Sequence, residues 1–267
     1  MNPLTHALVL AGLATLVAFL TMTLVWFASV KLRNAGIVDV AWSGLFSLLA
    51  LLYAILGGGD PIRRAVAASL MILWSLRLAA HLWRRVIGHI EVEDGRYAQL
   101  REKWGAVANR KMLAFFLFQG ATNVLLSLPI LLASLNGAPA LQGIEIAAIA
   151  LWSIALIGES VADAQLNRFK ADPANRGKVC AQGLWRYSRH PNYFFEWLVW
   201  CAFFLFALGS PYGWMSAYCP LLMLWFLYKV TGIPATEEQS VRSRGEAYRR
   251  YQQITSPFIP WFPKEGR

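Results

Sequence analysis

Long apolar runs alternate along the chain with short segments marked by charge, glycine and proline. Seven runs stand out: 4–30, 37–56, 62–83, 112–134, 142–162, 193–209 and 212–230. Most reach the roughly 20 residues that a helix needs to cross a bilayer's hydrocarbon. The sixth is short when counted from Tyr193. Only Gly209-Ser210-Pro211 separates it from the seventh, which reads as a tight turn between helices. No internal repeat is evident, which argues against the duplicated halves of many transporters. The pattern predicts an all-α, multi-pass membrane bundle of about seven transmembrane helices joined by loops of unequal length. It reads as one integral-membrane domain over 1–267: three spans in 1–83, loops at 84–111 and 163–192, four spans in 112–230, and a tail from 231.

Composition supports this reading. Hydrophobic residues make up 57% of the 267 and charged ones 15%, with 12 Trp, 15 Phe and 9 Tyr. An average soluble domain is about 25% charged. The balance excludes a disordered chain, a disulfide scaffold and an ordinary cytosolic enzyme. Cys180, Cys201 and Cys219 have no CxxC spacing, and two lie in apolar runs, so packing is their expected role. With no Lys or Arg before Lys31, the N-terminal run reads as a retained anchor, not a signal peptide.

The net charge of +10 changes the picture through its placement. Segments 31–36, 84–111, 163–192 and the tail from 229 carry 2, 7, 6 and 7 of the 25 Lys and Arg. The intervening turns carry only Arg63 and Arg64, and Arg77 lies inside the third run. This alternation predicts an N-terminus outside and a C-terminus in the cytoplasm. Anionic lipid headgroups account for single bases, so membrane lipid is an expected partner. Nucleic acid is not needed to explain the charge, and no obligate protein partner is evident.

Ionisable groups also lie where hydrocarbon is expected. Asp39 sits with Trp42 at one end of the second run. Arg77 and His81 are four apart in the third, and Glu159 and Asp163 four apart in the fifth, so each pair shares a helix face. Such groups face a bundle interior or a wet cavity, because lipid exposure is expensive. Each also fits a buried ion pair between helices. His6, His81, His89 and His190 lack zinc-ligand spacing, so no metal is expected. Walker, GxGxxG and nucleophile-elbow motifs are missing as well.

The densest stretch is Gly183-Leu-Trp-Arg-Tyr-Ser-Arg-His-Pro-Asn-Tyr-Phe-Phe-Glu-Trp197. Pro191 can open a helix, setting unpaired N–H groups beside Arg186, Arg189 and His190, a suitable seat for an anion. Asn192 offers a donor and an acceptor, and Glu196 follows one turn later. Trp185, Tyr187 and Tyr193 can stack on planar rings or form an interfacial aromatic belt.

This stretch resembles bacterial membrane proteins of the steroid 5α-reductase superfamily. The likeness extends through Asp39-Val-Ala-Trp42, Leu76-Arg-Leu78 with His81, Gly95-Arg-Tyr97, Glu159 to Lys170, Asp172-Pro-Ala-Asn-Arg-Gly177, Arg244-Gly-Glu-Ala-Tyr248, Tyr251 and Phe258-Ile-Pro-Trp261. The resemblance implies a reductase of a bacterial inner membrane that binds NADPH from the cytoplasm. It would reduce the enone C=C bond of a lipophilic, 3-oxo-Δ4 steroid-like substrate. Asn192 and Glu196 match the family's pair near the nicotinamide, and Asp163 and Lys170 its acid and base at the adenosine end. Arg84, Arg96, Lys170, Arg186 and Arg189 are expected at the phosphates. Tyr187, His190 and Tyr193 complete the motif, and Tyr248 is expected to close over the cofactor. His81 stands where the family has a tyrosine that polarises the carbonyl, with Asp39 as the nearest counterpart of its carboxylate partner. Imidazolium can donate to a developing enolate, so this His–Asp pair is the expected catalytic pair.

Arg-His-Pro-x-Tyr with Glu237-Glu238 and Tyr248 also resembles isoprenylcysteine and phospholipid methyltransferases, which bind S-adenosylmethionine. A donor without phosphates gives no reason for Arg84, Arg85 and Arg96, whereas arginine forks suit a phosphorylated dinucleotide.

Overall fold

A computed structural model describes residues 2–88, 91–230 and 232–264. His89 and the side chain of Arg85 lie outside the described residues. The chain divides into two compact units, Met1–Gly143 with Phe206–Ser216, and Ile144–Leu205 with Ala217–Arg267.

The first unit contains α1 (Pro3–Leu32), α2 (Ile37–Leu56), α3 (Pro61–Ile87), α4 (Gly95–Trp104), α5 (Ala108–Leu126) and α6 (Leu128–Leu135). Side-chain caps start three of them. Asn2, Asp60 and Asp94 accept from the N–H groups of Leu4, Arg63 and Arg96, and proline follows the first two. The run expected at 112–134 is two helices, because Pro129 breaks the ladder just after Ser127. Ser127 then bonds the phenol of fully buried Tyr53 at 2.9 Å.

Several polar groups inside this unit bond one another. Trp42 donates to Thr122 at 3.1 Å, Asn123 donates to the Trp42 carbonyl at 2.9 Å, and Ser47 donates to Ser75. Arg63 and Arg64 have a local use as well. The fully buried Arg63 guanidinium donates to the carbonyls of Asn136, Ala138 and Ala140. Arg64 donates to those of Ala54 and Gly57 at the end of α2. The outer face of the helices is apolar: Leu8, Leu16, Leu20 and Leu24 of α1 are all exposed.

The second unit contains α7 (Gly143–Ala171, entering it at Ile144), α8 (Pro191–Ala207, leaving it after Leu205), α9 (Tyr218–Trp225), a π-helical turn Phe226–Val230, α10 (Ile233–Arg244) and α11 (Glu246–Ile254). Pro191 does open α8. Among the described residues six helical stretches are long and apolar enough to cross a membrane: Leu4–Leu32, Ile37–Leu56, Pro61–Arg84, Gly95–Leu135, Gly143–Ala171 and Gly213–Arg244. The chain is therefore a multi-pass membrane protein. The run not among these six is the sixth, 193–209, which is α8; its 17 residues give about 25 Å of helix against about 30 Å of hydrocarbon. Pro191 and the turn after Ala207 set those limits.

α7 and α8 approach closely because Gly158 lacks a side chain. A Cβ there would lie 2.4 Å from the Phe195 ring. Gly158→Ala is therefore expected to destabilise the detergent-solubilised protein by about 1–3 kcal/mol, the usual cost of overpacking. Adding Phe195→Leu should recover much of the lost melting temperature. No loss in the single variant would show that the helices separate freely.

Candidate functional site

The motif before α8 builds two different environments. Ser188, Arg189 and His190 turn inward and grip the tail. The Arg189 Nε donates to Glu237 Oε1 at 2.6 Å, and its Nη1 donates to the carbonyls of Gln252 and Thr255 at 2.8 and 2.7 Å. His190 Nε2 meets the same Glu237 oxygen at 3.2 Å, and Gln252 donates to the other at 2.9 Å. Ser188 Oγ donates to the Phe258 carbonyl, and the Arg189 N–H to that of Ser256. Tyr193 stacks on His190 with ring centroids 5.3 Å apart and bonds Thr236. Arg189 is 9% exposed and His190 2%.

Tyr248 and Tyr251 are buried under this network. Burial, reinforced by the Glu237 carboxylate and opposed by Arg189, pushes the Tyr248 phenol up to about 12. Burial likewise raises Tyr251, whose hydroxyl donates to the Trp185 carbonyl. Four residues expected at a cofactor, Arg189, His190, Tyr193 and Tyr248, are thus brought together. What they surround is Glu237. In the sequence Glu237 stood out only through the methyltransferase likeness, as one of two adjacent acids in a basic tail.

The other environment lies between α7 and α8. Asn192 Nδ2 donates to Asp163 Oδ1 at 3.3 Å, while its Oδ1 is buried and has no hydrogen-bond partner. Glu196 and Glu159 are buried nearby along the same two helices, and Glu196 Oε1 accepts from Trp200 at 3.0 Å. Asp163, expected with Lys170 at the adenosine end, here bonds Asn192, expected at the nicotinamide, and Glu196 follows Asn192 one turn later on α8. Lys170 is exposed at the end of α7. Arg186 and Tyr187 face outward. Tyr187 meets Phe262, and the Arg186 guanidinium makes no hydrogen bond or ion pair among the described residues.

In the first unit, Asp39 accepts from Arg96 Nη2 at 2.8 Å and from the Tyr97 hydroxyl at 2.6 Å. Arg96 Nε also pairs with Asp94 at 3.1 Å, so this expected phosphate ligand carries two carboxylates. Glu93 accepts from the Ala35 N–H and is gripped by Arg101, which ties the loop before α4 to the start of α2. Tyr97 is the residue that sequence reasoning missed. It follows Arg96 directly, but 58 positions separate it from Asp39. His81 is half-buried on α3, and Arg84 is exposed one turn later. Among the described residues no three His, Cys, Asp or Glu side chains could hold a metal ion.

The chain is similar to an uncharacterized protein of Schizosaccharomyces pombe, with 28% identity over 281 residues covering 92% of this chain and 78% of the yeast protein. No solved structure matches it. A family model described as "Protein of unknown function (DUF1295)" matches residues 25–255, across both units, and the chain belongs to that family.

Proposed function

We propose that the chain is an NADPH-dependent membrane reductase that reduces the enone C=C bond of a lipophilic substrate, as its resemblance to the steroid 5α-reductase superfamily implies. The observation that carries this reading is the buried, unpartnered Oδ1 of Asn192. A buried acceptor without a donor costs about 1–3 kcal/mol, and a ligand N–H would relieve it. The carboxamide of a nicotinamide offers such an N–H. Asp163 already holds the Asn192 amide nitrogen, leaving the oxygen free to accept from a ligand. Glu196, fixed by Trp200, stands one turn further on.

When bound, the reduced nicotinamide would supply the hydride for the β-carbon. His81 is assigned to polarise the substrate carbonyl and steady the enolate until the α-carbon takes a proton. Asp39 is a positioned carboxylate, held by Arg96 and Tyr97. We place the tail and the large loops in the cytoplasm from the distribution of Lys and Arg.

Equilibrium binding to the purified protein tests the cofactor. Tight NADPH binding without S-adenosylmethionine binding is expected, and the reverse would refute the reading. Asn192→Ala should weaken NADPH binding by about tenfold, the equivalent of one buried hydrogen bond of roughly 1.4 kcal/mol. Unchanged affinity would remove the nicotinamide assignment.

The carbonyl donor is tested separately, with NADPH oxidation followed on enone substrates. His81→Phe should lower turnover by about 10²-fold or more, in line with loss of a general acid, while leaving NADPH affinity nearly intact. If Tyr97→Phe gives that signature and His81→Phe does not, the phenol is the donor.

A further inference from the structure

We propose that Arg186, with the tail residues packed around it, forms a binding site for the phosphate headgroup of an anionic lipid. The site is independent of the cofactor reading. It is a pocket of about 300 Å³ lined by Ala181, Arg186, Ile254, Thr255 and Pro263. Its walls are fixed. The Trp261 N–H donates to the Tyr187 carbonyl at 2.9 Å, and the Lys264 N–H donates to the Ile254 carbonyl at 2.8 Å. These two bonds hold the extended end of the tail against the turn that carries Arg186 and against the end of α11. The volume is at the small end of ligand pockets, suited to a phosphoglycerol headgroup more than to a dinucleotide.

Three features agree on the occupant. First, the Arg186 guanidinium is exposed and makes no hydrogen bond or ion pair among the described residues, whereas Arg189, three positions on, is buried and bonded through Nε and Nη1. An uncommitted fork in a pocket wall matches a phosphate. Second, the rim is apolar and aromatic. Ile259 is 58% exposed, Trp261 70% and Phe262 76%, and Phe262 meets the Tyr187 ring edge-on at 6.0 Å. Water is a poor solvent for that rim. Tryptophan and its neighbours beside a membrane-spanning body sit at headgroup level, where lipid chains cover the ring and the polar edge stays wet. Third, the surroundings are basic. Lys264 lies at the end of the same segment, and Arg249 and Arg250 are exposed on α11. A basic, aromatic-rimmed surface next to the bilayer attracts anionic lipid. A soluble phosphate compound would use the arginine and leave the aromatic rim unexplained.

Native mass spectrometry of the purified full-length protein, with phosphatidylglycerol and phosphatidylcholine offered in equal amounts, tests the site. The wild-type chain should retain phosphatidylglycerol in preference. Arg186→Gln should weaken that retention about fivefold, the effect of one cation near a phosphate, with the melting temperature unchanged. Trp261→Ala with Phe262→Ala should weaken retention of both lipids, because it removes the rim and leaves the charge. Equal retention by wild type and Arg186→Gln would overturn the proposal. So would an absence of headgroup preference, or displacement of the lipid by saturating NADPH or 2′,5′-ADP, since displacement would give the pocket to a nucleotide.

Discussion

One half-buried carboxylate organises the polar end of the second unit. Glu237 receives Arg189 and His190 on one oxygen and Gln252 on the other, and Arg189 spends its remaining reach on two backbone carbonyls. Taking a guanidinium and a carboxylate out of water is costly unless every donor and acceptor is matched. The partners come from the segment just before α8, from α10, and from α11 with the residue that follows it. The pair therefore joins a helix start to a tail that begins more than 40 positions later, and it orders the chain through Phe258. Loss of either partner would strand the other, at a typical cost of about 3–5 kcal/mol.

The first unit solves the same problem with the same chemistry at other positions. Glu93 takes up Arg101 and the Ala35 N–H, and Asp39 takes up Arg96 and Tyr97. At the opposite end, Arg63 and Arg64 satisfy carbonyls that helix and turn geometry leave open. A body whose outer face is leucine and phenylalanine has no water to call on within the hydrocarbon, so polar groups there must be paired internally. Serine, threonine and asparagine do this in the interior, through pairs such as Ser47 with Ser75 and Asn123 with the Trp42 carbonyl.

Much of the fold was legible in the sequence, because hydropathy and helix-start chemistry act locally. The apolar runs became helices, and Pro61 and Pro191 opened theirs as their missing N–H groups allow. The division of 112–134 at Ser127 could have been read from Pro129. The shortness of α8 was visible in the spacing from Pro191 to Gly209. Long-range pairings were not legible. The partnership of Arg189 with Glu237 spans 48 positions and that of Asp39 with Tyr97 spans 58. Nothing in either neighbourhood shows which acid an arginine will meet after folding. For the candidate site, helical spacing put Asn192 and Glu196 one turn apart on α8, whereas the bond from Asn192 to Asp163 spans 29 positions and was not legible.

The same distinction changes the meaning of the net charge of +10. Read along the chain, Arg186 and Arg189 are equivalent: two arginines three residues apart in one basic motif, each a natural partner for an anion. The short 3₁₀ turn Gly183–Arg186 separates them by leaving the first side chain outside and carrying the second under the tail. Arg189 then contributes to the fold, because its charge is consumed by Glu237. Arg186 keeps its charge available to solvent or ligand. Ordering by contact therefore matters more than counting. Of the basic residues expected at a phosphate, Arg189 has been taken by the fold and Arg96 carries two carboxylates. Any anion must be held by groups that the fold has left unspent.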